Sequence, residues 1–408
     1  MPDNFISIAN SVMTDSFKTD YLDKMSAPIN RRYPIKSLIR HDNGATGNVQ
    51  AHLALFSDVG GFGSGSIPPA GAYKSKQTNY TLKNLYFRAR IDRKSIMLSE
   101  DPEGAFMKQM VQAMEGGKNT IDRNIERQLV QGTGTGALGT NDTSSVTDNG
   151  GGSYTCLITA ASWCRDNFRM EDLLNVGATG TSVFKVTSVA PSTRAVTVLR
   201  LDGSDVPVDA DIWYRPGSKD NEMQGLRGVL QASSSTKYGI SIGDGWQSQH
   251  YNASGKPLTE GMLIDLIYNV HDECGDFPDA LIVSHTQRKK LYELARDKAL
   301  TIVDRSVEKD GIQLGIFPHI LLEGKEVKII VSQHMIASEA FLVNTDKVAF
   351  RSAGKGEFVQ GTDGLLHYEG ALNGSDVYSL VWAQYAEIFI HPAYHGEFNS
   401  LSTVVEVA

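Results

Sequence analysis

The sequence is short of cysteine, proline and long apolar runs, and each shortage excludes a class of protein. Three cysteines, Cys156, Cys164 and Cys274, are too few for a disulfide scaffold and indicate assembly in a reducing cytoplasm. No run of about 18 apolar residues predicts a transmembrane helix, and no basic region followed by an apolar core predicts a secretory signal. With 39 Lys+Arg against 47 Asp+Glu, the net charge of −8 excludes a free-standing electrostatic DNA binder.

Glycine, by contrast, is abundant. The 39 glycines cluster at 60–71, 132–152, 239–245 and 354–364, a distribution typical of long loops between regular elements. The other proportions, 41% hydrophobic and 21% charged, indicate an ordinary folded protein.

The N-terminal segment predicts an arm that needs a partner surface. Within residues 4–25 the apolar side chains of Phe5, Ile8, Val12 and Phe17 roughly follow one helical face. The segment is too polar to form a core alone, so we expect this stripe to be buried on another surface.

Residues 48–98 predict a long hairpin with a glycine-rich tip. Strand signals at 49–56 and 80–97 flank the loop, and the returning strand alternates in polarity. Leu85 and Phe87 lie on one side of this strand, and Arg88 and Arg90 lie on the other. Two more basic residues, Arg93 and Lys94, follow closely in the sequence. This basic set is interpreted either as a solvated face or as positive charge offered to an acidic neighbouring chain.

Residues 101–131 predict the longest helix. Asp101 is a suitable N-cap and Pro102 a suitable first residue, and apolar side chains recur at helical spacing. Gly116 and Gly117 in its middle predict a hinge, with close packing of another backbone against that face of the helix as the alternative.

The predicted secondary structure changes twice in the remaining chain. Residues 133–152 are interpreted as a polar linker, and short alternating strands between 177 and 215 predict a small inserted β-domain, barrel-like in form. From residue 257 the pattern is helix, strand, helix, and after 310 it is mostly strands.

Common catalytic and metal motifs are missing from the sequence. It contains no HExxH, no GxSxG and no pair of CxxC motifs. Gly134-x-Gly136-x-x-Gly139 follows a helix instead of a strand and is interpreted as linker. Asp202, Asp205, Asp209 and Asp211 are interpreted as turn residues. We therefore expect no catalytic residue, no metal site and no cofactor.

The order of these parts resembles the major capsid (coat) proteins of tailed bacteriophages of the Hong Kong 97 type. The segments that carry the resemblance are YTLKNLYFRARIDRKSI for the loop's return, PEGAFMKQMVQAMEGGKNTIDRNIERQLVQG for the spine helix, LTEGMLIDLIYNVHDECGDFPDALIVSHTQRKKLYEL, and YAEIFIHPAYHGEF. The resemblance implies an α+β fold with an N-arm, an extended loop, a spine helix, and peripheral and axial domains. The parts are 1–47 (arm), 48–98 (extended loop hairpin), 99–152 (spine helix and linker), 153–218 (inserted β-domain), 219–375 (axial domain with parts of the peripheral domain) and 376–408 (returning peripheral strands).

The resemblance also implies a function and partners. It implies a virion protein, assembled in the host cytoplasm, that self-assembles through pentamers and hexamers into an icosahedral shell around double-stranded DNA held without sequence specificity. A separate scaffolding protein is expected, because a hairpin beginning near residue 48 leaves no room for a built-in one. The portal protein is a further implied partner, a decoration protein a candidate one, and no membrane is involved.

Two other functions stay open at this point. A soluble hydrolase-like enzyme would need a catalytic set assembled from distant residues. A phage tail or tube protein would be mostly β and would not need the helix at 101–131.

Overall fold

The structure is a computed structural model that describes most of the chain. The described residues are 35–43, 48–54, 74–92, 102–177, 181–231, 236–297, 319–322, 325–353, 357–358, 366–372 and 375–403.

The first half of the described chain is a set of strands around one long helix. Its elements are β1 (Arg40–Asn43), β2 (Asn48–Ala54), β3 (Lys74–Asn79), β4 (Lys83–Asp92), α1 (Pro102–Gln131), β5 (Ala137–Gly150), β6 (Ser153–Ile158), β7 (Leu173–Val176), β8 (Val183–Ala190), β9 (Ala195–Asp202) and β10 (Ile212–Tyr214).

The second half is mixed. Its elements are α2 (Leu226–Leu230), β11 (Thr236–Lys237), β12 (Ile240–Ser241), β13 (Gln249–Asn252), α3 (Glu260–Cys274), β14 (Ala280–Val283), α4 (His285–Asp297), β15 (His319–Leu322), β16 (Lys325–Val331), β17 (Ala340–Val343), β18 (Val348–Ser352), β19 (Glu357–Phe358), β20 (Leu366–Leu372), β21 (Ser375–Ile390) and β22 (Gly396–Asn399).

The long helix predicted from the apolar spacing is confirmed. Helix α1 runs for 30 residues without interruption, and at 1.5 Å per residue it is roughly 45 Å long. In its second half Ile125 and Leu129 are almost fully buried in the largest apolar cluster. The N-cap predicted at Asp101 lies outside the described residues.

The long strand β21 organises the peripheral sheet. It pairs antiparallel with β4 along one side, from Lys83 opposite Ala386 to Asp92 opposite Val377. On its other side it pairs with β18, β19 and β20, and β1 joins β18 in parallel. This sheet and α1 enclose much of the largest cluster.

The predicted hairpin is wrong in its strand pairing. Strand β2 pairs with β3, Asn48 opposite Asn79, and not with the segment at 80–97. The alternation in β4 explains the difference, because its apolar side, with Leu85 buried, packs against α1 and needs a place in the core. The sequence KSKQTN of β3 has no such apolar side and suits a two-stranded ribbon.

The inserted β-domain is a closed barrel of six strands in the order β10-β5-β6-β9-β8-β7. Its interior is filled by apolar side chains, including Phe184, Val198 and Trp213. The polar linker predicted at 133–152 is wrong, because residues 137–150 form β5 of this barrel. Its inward residues include Leu138 and Asn141, and Asn141 Oδ1 accepts a 2.7 Å hydrogen bond from Trp213 Nε1.

The barrel joins the rest of the molecule through a narrow neck. The chain leaves α1 at Gly132 and returns at Gly225, where the N–H groups of Gly225 and Gly228 donate to the Gly132 carbonyl at 2.9 and 3.0 Å. A Cβ on Gly225 would lie 1.9 Å from the carbonyl oxygen of Gln128, so only glycine fits there. The outgoing and returning segments therefore run in contact, as expected for an inserted domain.

The axial domain is a six-stranded sheet in the order β13-β22-β17-β14-β16-β15, covered on one face by helices. The predicted helix beginning after Thr259 is confirmed as α3, and the Thr259 side chain accepts a hydrogen bond from Met262 N. Leu281 and Val283 of β14 pack with Leu263 and Leu266 of α3, and Ile282 faces the largest cluster on the other side.

Candidate subunit interface

The end of the N-terminal arm is fixed on the spine helix α1 by two acidic side chains. The buried carboxylate of Glu126 accepts hydrogen bonds from the N–H groups of Ile35 (3.3 Å) and Lys36 (3.0 Å). The ammonium of Lys36 lies 2.6 Å from Asp122 Oδ1. Burial raises the pKa of Glu126 to about 7, although the two N–H groups oppose the shift. Ile35 and Lys36 are therefore held at a defined point on α1.

The barrel contacts the same helix through Asp166. Its carboxylate pairs with Arg123 of α1 at 2.9 Å and with Arg169, and it lies 3.3 Å from Nε2 of His334. Burial alone would raise the pKa of Asp166, but Arg169 and Arg123 bring it below its usual value. Burial lowers the pKa of His334 to about 3, so the imidazole is neutral near pH 7. Helix α1 thus links the arm, the barrel and the axial domain.

The predicted alternation of β4 is confirmed where its side chains are described. Leu85 is buried, whereas Tyr86 and Arg88 are exposed on the opposite side. Tyr385 of β21 faces Asn84 across the ladder and is exposed by 53%, similar to Tyr86 at 54%. Arg88 therefore belongs to an outward surface that combines aromatic and positively charged side chains.

Several predicted interface residues cannot be placed on this surface. Arg90 is part of β4 and lies opposite Ser379, but β4 ends at Asp92, and Arg93 and Lys94 lie outside the described residues. The arm residues Phe5, Ile8, Val12 and Phe17 also lie outside them. Their interface role stays a prediction.

The two glycines predicted as a hinge occupy different surroundings. Gly116 is exposed, and a Cβ there would have no neighbour within 4 Å. Gly117 is buried, and a Cβ there would lie 2.1 Å from Cε1 of Phe87 in β4. This contact favours the packing alternative for Gly117, and the hinge itself stays a prediction.

A serine, a histidine and a glutamate lie together in the fold, although no sequence motif indicates this arrangement. Ser248 Oγ lies 3.2 Å from His250 Nε2, and His250 Nδ1 lies 3.0 Å from Glu397 Oε2. The Ser248 hydroxyl, however, donates to the carbonyl of Leu230 at 2.8 Å and accepts from Lys237 Nζ at 3.4 Å. With Ser248 exposed by only 2%, the set resembles a catalytic triad in distances but supports the fold. No spacing rule would have revealed it, because Glu397 is 147 residues from His250.

Three of the four aspartates at the end of β9 and before β10 accept backbone hydrogen bonds, two of them within turns and one from β5. Asp202 accepts from Gly203 N, Asp209 from Ser145 N and Asp211 from Val208 N. Within the described residues, no group of three or more His, Cys, Asp or Glu side chains is arranged to hold a metal ion. No helix in the described part of the chain is long and apolar enough to cross a membrane.

The comparisons with known proteins agree with this architecture. Residues 209–396 match the sequence model of the family described as SU10 major capsid protein. None of the curated proteins matches the chain.

Among solved structures, the capsid asymmetric unit of cyanophage A-1(L) is similar, with a TM-score of 0.50 and 11% identity over 91% of this chain and 93% of that one. The capsid of a native GTA particle has a TM-score of 0.47 and 8% identity, covering 90% of each chain. Gordonia phage Cozz has a TM-score of 0.43 and 10% identity, covering 91% of this chain and 87% of that one. The cyanophage similarity shows that the chain shares a capsid fold.

The family match and the shared fold explain the element order together. The arm anchor, the strand β4, the spine helix α1, the inserted barrel and the helix-covered axial sheet follow one another along the chain. The match of residues 209–396 to the SU10 major capsid protein model and the shared capsid fold together support a tailed-phage major capsid protein that forms shells, with an architecture consistent with the Hong Kong 97-like fold.

Proposed function

We propose that this protein assembles through pentamers and hexamers into the icosahedral head shell that encloses the phage double-stranded DNA. Assembly takes place in the host cytoplasm with a separate scaffolding protein, and the finished shell carries a portal protein and is a candidate to bind a decoration protein. The protein acts structurally, without catalysis and without a cofactor. The packaged DNA is held without sequence specificity, in keeping with the net charge of −8.

The observation that carries the proposal is the outward surface of β4 and β21. Tyr86 and Tyr385 expose about half of their area on neighbouring strands, and Arg88 lies on the same surface. Large aromatic side chains beside arginine are enriched in protein interfaces, where the rings bury area and the guanidinium pairs with acids. An acidic subunit offers such acids on a second copy of itself.

The test is the assembly state of the recombinant protein. We expect sedimentation and electron microscopy to show shells, tubes or capsomers far larger than the 44.5 kDa subunit. A protein that remains a monomer at all concentrations would refute the proposal.

A charge reversal locates the interface. The double variant Arg88→Glu, Arg90→Glu is expected to fold but to assemble less, with the largest defect at low salt, where screening is weakest. The matched control reverses two barrel residues, Arg165→Glu and Arg194→Glu. Equal assembly by both variants would remove β4 from the interface.

A further inference from the structure

The two long helices of the axial domain carry opposite charge. Helix α3, EGMLIDLIYNVHDEC, contains four acidic residues and neither lysine nor arginine. The first half of α4, HTQRKK, contains three basic residues and no acidic one. Two helices of one small domain thus divide the charge between them.

The charge of α3 lies on its solvent-facing side. Asp265, Asp272 and Glu273 are exposed, and the Asp272 side chain is 80% exposed. Tyr268 lies on the same side and is exposed by 36%. The opposite side is buried in the axial core: Leu263, Leu266, Ile267 and Val270. The acidic residues therefore form a stripe with one aromatic side chain inside it.

The basic side chains of α4 also face solvent. Lys289 is exposed, with 58% of its side chain accessible, and Arg288 is partly exposed. Lys290 instead points inward, and its ammonium donates to the carbonyl of Ser402. Gln287 donates at 2.6 and 2.9 Å to the carbonyls of Ala337 and Ser402. These inward contacts hold α4 so that Arg288 and Lys289 stay on the outside.

The two charged sides belong to one helical layer on the axial sheet. Helix α3 contacts β13 and β22, at one end of the strand order, whereas α4 contacts β14, nearer the other end. The apolar sides of both helices reach the same cluster, since Leu291 of α4 packs against it. Acidic and basic surfaces are thus displaced from each other along the layer.

The ion pairs of Asp272 and Lys289 stay within their own helices and are loose. Asp272 lies 3.8 Å from its neighbour His271, and Lys289 lies 4.0 Å from Glu293. Exposed pairs of this kind contribute little to stability, so these side chains are available to a better partner.

We infer that the acidic stripe of α3 (Asp265, Asp272 and Glu273) binds the basic residues Arg288 and Lys289 of α4 in a second copy of this chain. The two surfaces differ, so the contact is head-to-tail, and repetition of such a contact closes a ring. The inference rests on the proposed shell function and adds which side chains join neighbouring subunits around the ring. Burial of Tyr268 at the centre of the contact would exclude water from the ion pairs.

A charge swap tests this contact. Reversing the acidic side (Asp265→Lys, Asp272→Lys) or the basic side (Arg288→Glu, Lys289→Glu) places like charges opposite each other, which opposes the contact. We expect each double variant to lower the assembled fraction at least about tenfold at low salt, since each 1.4 kcal/mol is a factor of ten. The chain with all four reversals restores opposite charges and is expected to assemble like the wild type. Circular dichroism and thermal melting confirm that each variant is folded.

The controls separate this inference from the shell function. Reversal of two exposed barrel acids, Asp148→Lys and Asp202→Lys, changes the net charge by as much as the acidic-side variant does and is expected to leave assembly unchanged. Wild-type shells together with normal assembly of either axial double variant would overturn the inference and leave the shell function standing. A folded fourfold variant that fails to recover assembly would overturn it as well. A wild-type chain that forms no assemblies would instead refute the shell function.

Discussion

The ring of Phe87 occupies the space that a side chain at residue 117 would need. A Cβ built on Gly117 would lie 2.1 Å from Cε1 and 2.4 Å from Cζ of this ring. The Phe87 ring of strand β4 therefore lies against helix α1 at a point where a side chain at 117 would require the ring to shift. On the other side of β4, Tyr86 donates to the carbonyl of Pro216 at 2.9 Å, so the strand is held between α1 and the barrel's neck.

The adjacent glycines allow a matched comparison. Gly117→Ala is expected to destabilise the subunit by about 1–3 kcal/mol, because the methyl group overpacks against Phe87. Gly116→Ala meets open space and is expected to stabilise it by up to about 1 kcal/mol, because alanine is the better helix former. Urea denaturation of the two variants measures both. If both substitutions stabilise the subunit and impair assembly, the pair is a hinge and the packing explanation is wrong.

We expect the stability of the folded subunit to depend on pH through Glu387. Burial raises the pKa of Glu387 to about 7, above the ordinary value of 4.5. Because its folded-state pKa is raised, its contribution to stability is present below about pH 4.5 and is lost as pH rises through about 7. The Oε1 atom of Glu387 accepts hydrogen bonds from the backbone N–H groups of Gln224 (2.9 Å) and Ile388 (3.1 Å).

The isosteric variant Glu387→Gln retains an oxygen for both of these hydrogen bonds and carries no charge. We expect it to be more stable than the wild type at pH 8, by roughly 1–3 kcal/mol, and equally stable near pH 4.5. Glu126→Gln is the informative companion, because the Glu126 carboxylate uses both oxygens and the amide would lose one hydrogen bond. Thermal melts from pH 4.5 to pH 8 that show the same slope for wild type and Glu387→Gln would contradict this assignment.

Ser248 is expected to behave as a structural residue. Ser248→Ala removes the partner of Leu230, Lys237 and His250 together, and loss of such hydrogen bonds costs about 1–3 kcal/mol. A fluorophosphonate probe is expected to leave the native protein unlabelled. Labelling that disappears in Ser248→Ala would reveal a reactive serine and support an enzyme after all.

Elements with local signals could be predicted from the sequence, and elements defined by distant partners could not. Helix α1 is predicted by its apolar spacing and by Pro102, and helix α3 is predicted by the N-cap residue Thr259. Strand β5 was missed because most of its side chains are polar, and its place is set by β10, whose Ile212 faces Thr140. The partner of β4 was missed for the same reason, because the register of Phe87 with Trp382 joins distant parts of the chain.

The outward surface of β4 and β21 also combines a feature that the sequence predicts and features that only the fold reveals. The period-two alternation of β4 predicts that Arg88 and Leu85 lie on different sides of the strand, and this is confirmed. The exposed Tyr385 on the same surface carries no local signal, since exposure depends on what the fold leaves uncovered. Opposite charge on α3 and α4 was readable in the sequence, but only the sheet order shows that the two helices share one layer.

The neck of the barrel gives the strictest steric prediction. At Gly225 a Cβ would lie 1.9 Å from Gln128 O and 2.5 Å from Leu129 O. These are backbone atoms at the end of α1, so no side-chain rotation relieves the clash. Gly225→Ala is therefore expected to destabilise the subunit by at least about 3 kcal/mol, the upper end for overpacking. The matched control is Gly261→Ala in α3, where nothing lies within 4 Å and a gain of up to about 1 kcal/mol is expected. Urea denaturation measures both variants, and equal stabilities would show that the two neck segments are not in the contact described here.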